Sequence, residues 1–229
     1  MPDATPPRDA PRDQIDFKYP LPHFTESLKH GRKTRIVAIG SSSTAGADGV
    51  LPFPPRLEML LREKFYGRMI DVINRGIGGQ EAPEELSRFE SDVINEAPSL
   101  VIWQVGTNAI YRNQDYNPDD VIAAITAGLG WLDGLPMDVV LMDLQYTRAV
   151  VGDKIELSKV MVSRIADAAE KAKVNVFHRF ALMQRWYEAA DIPLAELDDG
   201  GQLHTSKWAT KCVAMALSAA IAGAPQMAV

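Results

Sequence analysis

Short runs of consecutive apolar residues alternate along the chain with longer stretches of helical period. Arg35-Ile36-Val37-Ala38-Ile39, Met69-Ile70-Asp71-Val72-Ile73, Leu100-Val101-Ile102-Trp103-Gln104, Asp138-Val139-Val140-Leu141-Met142 and Val174-Asn175-Val176-Phe177 are the runs. Strands apolar on both faces belong to a parallel sheet covered on both sides. Between them, helices are predicted near 54–66, 83–95, 119–132 and 154–172, with a last one near 206–222. In 154–172, Ile155, Val160, Val162, Ile165 and Ala169 fall on one stripe. This alternation predicts a three-layer α/β/α fold around a central, mostly parallel five-stranded sheet.

Composition narrows the class. The 229 residues are 46 % hydrophobic and 24 % charged, the balance of a globular domain. No apolar run approaches the ~18 residues of a membrane span. A formal charge of −6 argues against a nucleic-acid partner. Cys212 is the single cysteine, so no intramolecular disulfide or cysteine zinc site is available; it reads as buried and inert. No paired histidines or clustered ligands stand at metal-binding spacing, and no metal or cofactor is expected.

Pro2, Pro6, Pro7, Pro11, Pro20 and Pro22 predict an extended arm over 1–22, ahead of one domain over 23–229. The Lys29-His30-Gly31-Arg32-Lys33 cluster reads as a solvated turn. No basic start followed by an apolar core marks a signal peptide in the chain as it stands. A removed signal would leave the same sequence, so the compartment stays open, and a homo-oligomer is compatible with it.

Ligands of open parallel sheets bind beyond the carboxyl ends of the strands. There the chain has Gly40-Ser41-Ser42-Ser43-Thr44-Ala45-Gly46, Asn74-Arg75-Gly76-Ile77-Gly78-Gly79, Gly106-Thr107-Asn108 and Asp143-Leu144-Gln145-Tyr146. The first loop has the wrong spacing for a phosphate loop or a dinucleotide fingerprint. Thr44 stands where the Gly-x-Ser-x-Gly elbow needs its second glycine. A serine hydrolase of another kind needs a serine, a base, a group orienting the base, and oxyanion donors. Among the four histidines, His204 has carboxylates, Asp198 and Asp199, in its own loop. Trp103, Gln104, Gln145 and Tyr146 flank the strand ends as weak substrate-binding candidates.

Four blocks in order resemble the SGNH (GDSL-like) hydrolase family. They are Gly40-Ser41-Ser42, Asn74-Arg75-Gly76-Ile77-Gly78-Gly79, Gly106-Thr107-Asn108 and the late loop ending in Leu203-His204. The resemblance runs from Thr34 to about Ala222. It implies Ser42 as nucleophile, His204 as base, and an oxyanion hole of the Ser42 and Gly79 N–H groups with the Asn108 amide. It implies hydrolysis of short acyl esters, acetyl first, with carbohydrate esters as the substrate class. Lysophospholipid or thioester cleavage and acyl transfer are the alternatives within the fold. A catalytically silent binding protein is the rival from another class.

The chain departs from the pattern twice. Ser41 stands where the family usually has Asp, and Gly201 stands at the orienting Asp position three residues before His204. Asp199 is the preferred orienting carboxylate, Asp198 the second choice and a backbone carbonyl the third, with Gly200 and Gly201 letting the loop bulge.

Overall fold

The computed structural model describes residues 16–31, 33–47 and 49–224. Its sheet holds β1 (Thr34–Gly40), β2 (Ile70–Gly76), β3 (Leu100–Gln104), β4 (Asp138–Met142) and β5 (Asn175–Phe177). The spatial order is β2-β1-β3-β4-β5, and all four pairings are parallel. Ile36, Val37, Ile39, Val101, Ile102, Val140 and Leu141 are fully buried, as strands covered on both faces require.

The helices are α1 (Pro22–His30), α2 (Ser42–Ala45), α3 (Phe53–Lys64), α4 (Ala82–Leu86), α5 (Phe89–Asp92) and α6 (Thr107–Tyr111). They continue with α7 (Pro118–Leu132), α8 (Arg148–Val151), α9 (Ile155–Ala172), α10 (Arg179–Glu188), α11 (Leu194–Leu197) and α12 (Lys207–Ala222). From β1 the chain first steps outward to β2, then returns past β1 to add β3, β4 and β5. Right-handed crossovers in opposite directions put their helices on opposite faces. Accordingly α3 packs with α12, whereas α7 packs with α4 and α9. The reversal of direction falls at β1, between β2 and β3, and opens a crevice at the carboxyl ends of these strands.

Val160, expected on the apolar stripe of 154–172, is 57 % exposed, because helical spacing turns it away from Ile165 and Ala169. Two further local expectations are corrected. The helix expected over 83–95 is broken into α4, α5 and a 3-10 turn at Ile94–Glu96. The Ser87 hydroxyl donates to the Glu84 carbonyl (2.6 Å) and the Ser91 hydroxyl to the Arg88 carbonyl (3.1 Å), side-chain bonds that compete with helical ones. The break lets Phe89 pack edge-on against Trp103, with ring centroids 4.7 Å apart. Lys29 and His30, expected in a turn, form the basic last turn of α1, favourable at a helix C-terminus. Pro22 sits at the first position of that helix, where its missing N–H has no partner to lose.

Of the expected arm, residues 1–15 lie outside the described residues. Residues 16–21 have no regular structure, and Phe17 and Leu21 are buried in the core.

Candidate active site

The loop after β1 is fixed from below. Gln104, buried at the end of β3, accepts with its side-chain oxygen from the Ser41 N–H (3.1 Å), the Ser41 hydroxyl (2.9 Å) and the Thr44 hydroxyl (3.3 Å). Ser42 is the first residue of α2, where a backbone N–H has no intrahelical acceptor. The helix rests directly on β2: the Asn74 amide donates to the Thr44 carbonyl at 2.8 Å. A Cβ on Gly76 would stand 2.2 Å from the Ala45 nitrogen, so only glycine permits this approach.

The late loop folds back as a small hairpin. Asp198 bridges Thr205, the Asp199 N–H donates to the His204 carbonyl (2.9 Å), and the Ser206 N–H to the Leu197 carbonyl (2.9 Å). Gly200 (φ 87°) and Gln202 (φ 69°) turn the chain in left-handed conformations. Residues five apart in sequence thereby face each other. His204 Nε2 lies 2.9 Å from Ser42 Oγ, and His204 Nδ1 lies 3.4 Å from Asp199 Oδ2. Asp198 is engaged elsewhere, accepting from Arg148 Nε (2.7 Å) and Nη2 (2.6 Å). Burial alone would raise the Asp198 carboxyl, but the Arg148 bonds prevail and hold it below the usual carboxylate range.

Gly78 stands beside the serine: a Cβ placed on it would lie 3.9 Å from Ser42 Cβ. The Gly79 carbonyl accepts from Arg112 Nη1 (3.2 Å) and the Tyr116 hydroxyl (3.0 Å), which fixes the following peptide. Among the described residues the Ser42 and Gly79 N–H groups donate to no backbone carbonyl. Asn108, buried on α6, donates through Nδ2 to the Gln80 carbonyl at 2.8 Å. The same amide keeps a second N–H.

The four weak substrate-binding candidates are at most 6 % exposed and present no open lining. Trp103 donates to the Glu85 carboxyl (2.7 Å), and Tyr146 packs edge-on against Phe180. Gln104 holds the loop after β1. Gln145 accepts from the Ser43 (2.9 Å) and Thr107 (3.2 Å) hydroxyls and donates to the Leu203 carbonyl (2.9 Å). Arg148 and Glu81, which the motif reading passed over, contact the site's frame rather than its reacting atoms. The Gly-Gly-Gln-Glu run at 78–81 offered no signal beyond its glycines.

His178 pairs with Asp143 (3.4 Å), away from any candidate serine contact. A cavity of about 980 Å³, lined by Leu129, Met137, Asp138, Lys171 and Asn175 among others, opens at the amino ends of β4 and β5. It is at the sheet edge opposite Ser42. Among the described residues no three metal-ligating side chains gather, and no helix is long and apolar enough to cross a membrane.

This geometry can be set beside known proteins. Residues 7–226 match the non-GDSL lipase-like family. A 76-residue stretch is 32 % identical to an uncharacterized lipoprotein, YqeF, of Bacillus subtilis, spanning 32 % of this chain and 31 % of that relative. Among solved structures, Axe2, an acetylxylan esterase from Geobacillus stearothermophilus, superposes with a TM-score of 0.71 at 20 % identity, over 82 % of this chain and 94 % of its own. Two further Axe2 structures are described as catalytic mutants, one at a serine and one at a histidine. A G-D-S-L family lipolytic protein from Desulfitobacterium hafniense superposes with a TM-score of 0.66 at 24 % identity, over 82 % and 99 %. The three-layer sheet, the order of the four blocks and the match along nearly the whole chain together show that the protein belongs to the non-GDSL lipase-like family, among the SGNH-like hydrolases of ester bonds.

Proposed function

We propose that the protein is a serine esterase that removes short acyl groups, acetyl foremost, from carbohydrate esters. The observation that carries this reading is the 2.9 Å contact of His204 Nε2 with Ser42 Oγ, with Asp199 at the ring's other nitrogen. The acetyl and carbohydrate preference is supported by the acetylxylan esterase description of Axe2.

In this mechanism Ser42 Oγ attacks the ester carbonyl while His204 Nε2 takes its proton. Asp199 stabilises the imidazolium and holds the ring in the tautomer that leaves Nε2 free to accept. The carbonyl oxygen becomes an anion that receives hydrogen bonds from the Ser42 and Gly79 N–H groups and Asn108 Nδ2. The tetrahedral intermediate collapses, the C–O bond to the sugar breaks, and His204 returns the proton to the departing alcohol. Water then attacks the acyl-serine with His204 again as base, releasing acetate and restoring Ser42. Each oxyanion donor contributes on the order of 10²–10³ in kcat.

The test is hydrolysis of p-nitrophenyl esters from acetyl to dodecanoyl, and of acetylated xylo-oligosaccharide, by the wild type, Ser42→Ala and His204→Ala. The expected result is fastest turnover on acetyl esters, with each variant reduced by about 10⁴-fold or more. Undiminished activity in Ser42→Ala would overturn the reading, as would complete loss of wild-type activity on treatment with a chelator. Preference for long acyl chains would redirect it to lysophospholipids, and turnover only with an added sugar acceptor to acyl transfer. The close Ser42–His204–Asp199 alignment disfavours a silent binding protein.

A further inference from the structure

We propose that Glu81 is the positioning residue of the oxyanion hole, its buried side chain joining the loop that carries Gly79 to the helix that carries Asn108. The inference rests on the roles proposed above for those two residues.

Glu81 is 2 % exposed and caps α4 two residues after Gly79. Its Oε1 accepts from the Gly106 N–H (2.7 Å) and the Ala82 N–H (3.0 Å), and its Oε2 from the Ala109 N–H (3.0 Å). Gly106 and Ala109 bracket Thr107 and Asn108. In the reverse direction Asn108 Nδ2 donates to the Gln80 carbonyl. Bonds thus run both ways between 79–82 and 106–109, and the two donor-bearing segments are held as one piece.

A buried negative charge close to a developing oxyanion is electrostatically adverse, so its presence requires a compensating role. The hydrogen bonds to this carboxylate come from backbone N–H donors. They suit the charged form and are stronger than neutral bonds of the same geometry. Burial raises the Glu81 carboxyl while these N–H groups oppose the rise. The neighbouring Glu85 carboxyl is raised well above its ordinary range, first by its own burial and then by the Glu81 charge. In Glu81→Gln one oxygen becomes an NH2 group facing a backbone N–H, donor against donor, with the side chain's shape retained.

The experiment measures kcat and KM on p-nitrophenyl acetate for Glu81→Gln, Asn108→Ala and the double variant. Rates are expressed per serine titrated with an alkyl phosphonate, so that unfolded protein does not count. We expect Glu81→Gln to lower kcat by about ten- to a hundredfold, with KM within about twofold, as for loss of transition-state donors. In the Asn108→Ala background the same change is expected to cost less than in the wild type, since one of the two donors that Glu81 positions is already removed. An unchanged kcat, or a full multiplicative effect in the double variant, would overturn the inference.

A core residue needed only for folding would lower the titre and not the rate per titrated serine. Should Glu81→Gln not fold, amide exchange in the wild type decides. Slow exchange at Gly106 and Ala109 is expected, and exchange at exposed-loop rates would refute the clamp. Loss of activity in Ser42→Ala with Glu81→Gln unaffected would leave the esterase reading standing and remove this inference alone.

Discussion

Arg148 grips both oxygens of Asp198, at 2.6 and 2.7 Å, while Asp199, the next residue, lies 3.4 Å from the imidazole of His204. Adjacent carboxylates on one hairpin strand point to opposite sides of it, and these two meet different partners. Asp199→Asn is expected to lower kcat by about 10²–10⁴ through a mis-set tautomer, with little change in melting temperature. Asp198→Asn is expected to lower the melting temperature by about 3–8 °C. The Asp198 carboxyl is held below its ordinary value of 3.8. Its contribution is therefore fully present above that value and is lost as pH falls through the folded-state value. Thermal unfolding at neutral pH and near pH 3 checks this, because the wild type's advantage over Asp198→Asn should shrink in acid.

Gln104 ties the loop after β1 to β3, its one oxygen accepting from three donors. Gln104→Leu keeps the volume and leaves those buried donors without an acceptor. The expected loss is on the order of 2 kcal/mol of stability or more, with a fall in kcat per folded enzyme. Denaturant unfolding and active-serine titration separate the two effects. Wild-type stability in the variant would show that the loop stands without this tie.

A Cβ added at Gly76 would stand 2.2 Å from the Ala45 nitrogen. Gly76→Ala forces the strand and α2 apart, at a cost on the order of 2–4 kcal/mol. Because α2 carries Ser42, esterase activity should fall further than the folded fraction does. Circular dichroism melts with parallel p-nitrophenyl acetate assays report both.

Glu85 is fully buried beside Glu81, and its carboxyl is raised well above the ordinary 4.5 by burial, then by the Glu81 charge. Folding therefore takes up a proton at any pH between that value and the raised one, and stability falls as pH rises through the window. Glu85→Gln removes the titration and keeps an oxygen for Trp103 Nε1. The variant should match the wild type near pH 4.5 and melt progressively higher than it as pH rises to 8. Parallel pH profiles of the two proteins would count against a neutral Glu85.

The strands were legible because their apolar runs exceed what one buried face needs, and Leu100–Gln104 and Asp138–Met142 carry the expected bounds. The helix over 83–95 was misread because periodicity does not register the Ser87 and Ser91 hydroxyl bonds that break it. Short helices such as Thr107–Tyr111 and Arg148–Val151 hold too few turns to show a period at all. At the site, Ser42, Gly79, Asn108 and His204 stand at strand ends or in a loop with recognisable spacing. The choice between Asp198 and Asp199 depended on a hairpin closed by backbone bonds across Leu197–Ser206, which side-chain chemistry does not reveal. Glu81 was invisible for a similar reason: its partners are the N–H groups of Gly106, Ala82 and Ala109, whose side chains take no part.

Gln145 binds residues 102, 38 and 58 positions away, at Ser43, Thr107 and Leu203. Such distant pairings form late, after the loops between them have closed. In a chain made from its amino end all five strand segments, the last ending at Phe177, are synthesised before Leu203 and His204. Until then Ser42 lacks its contact with His204, and the Gln145 amide has not tied the three loops together. The Ser42–His204 contact is thus among the last that the growing chain can make.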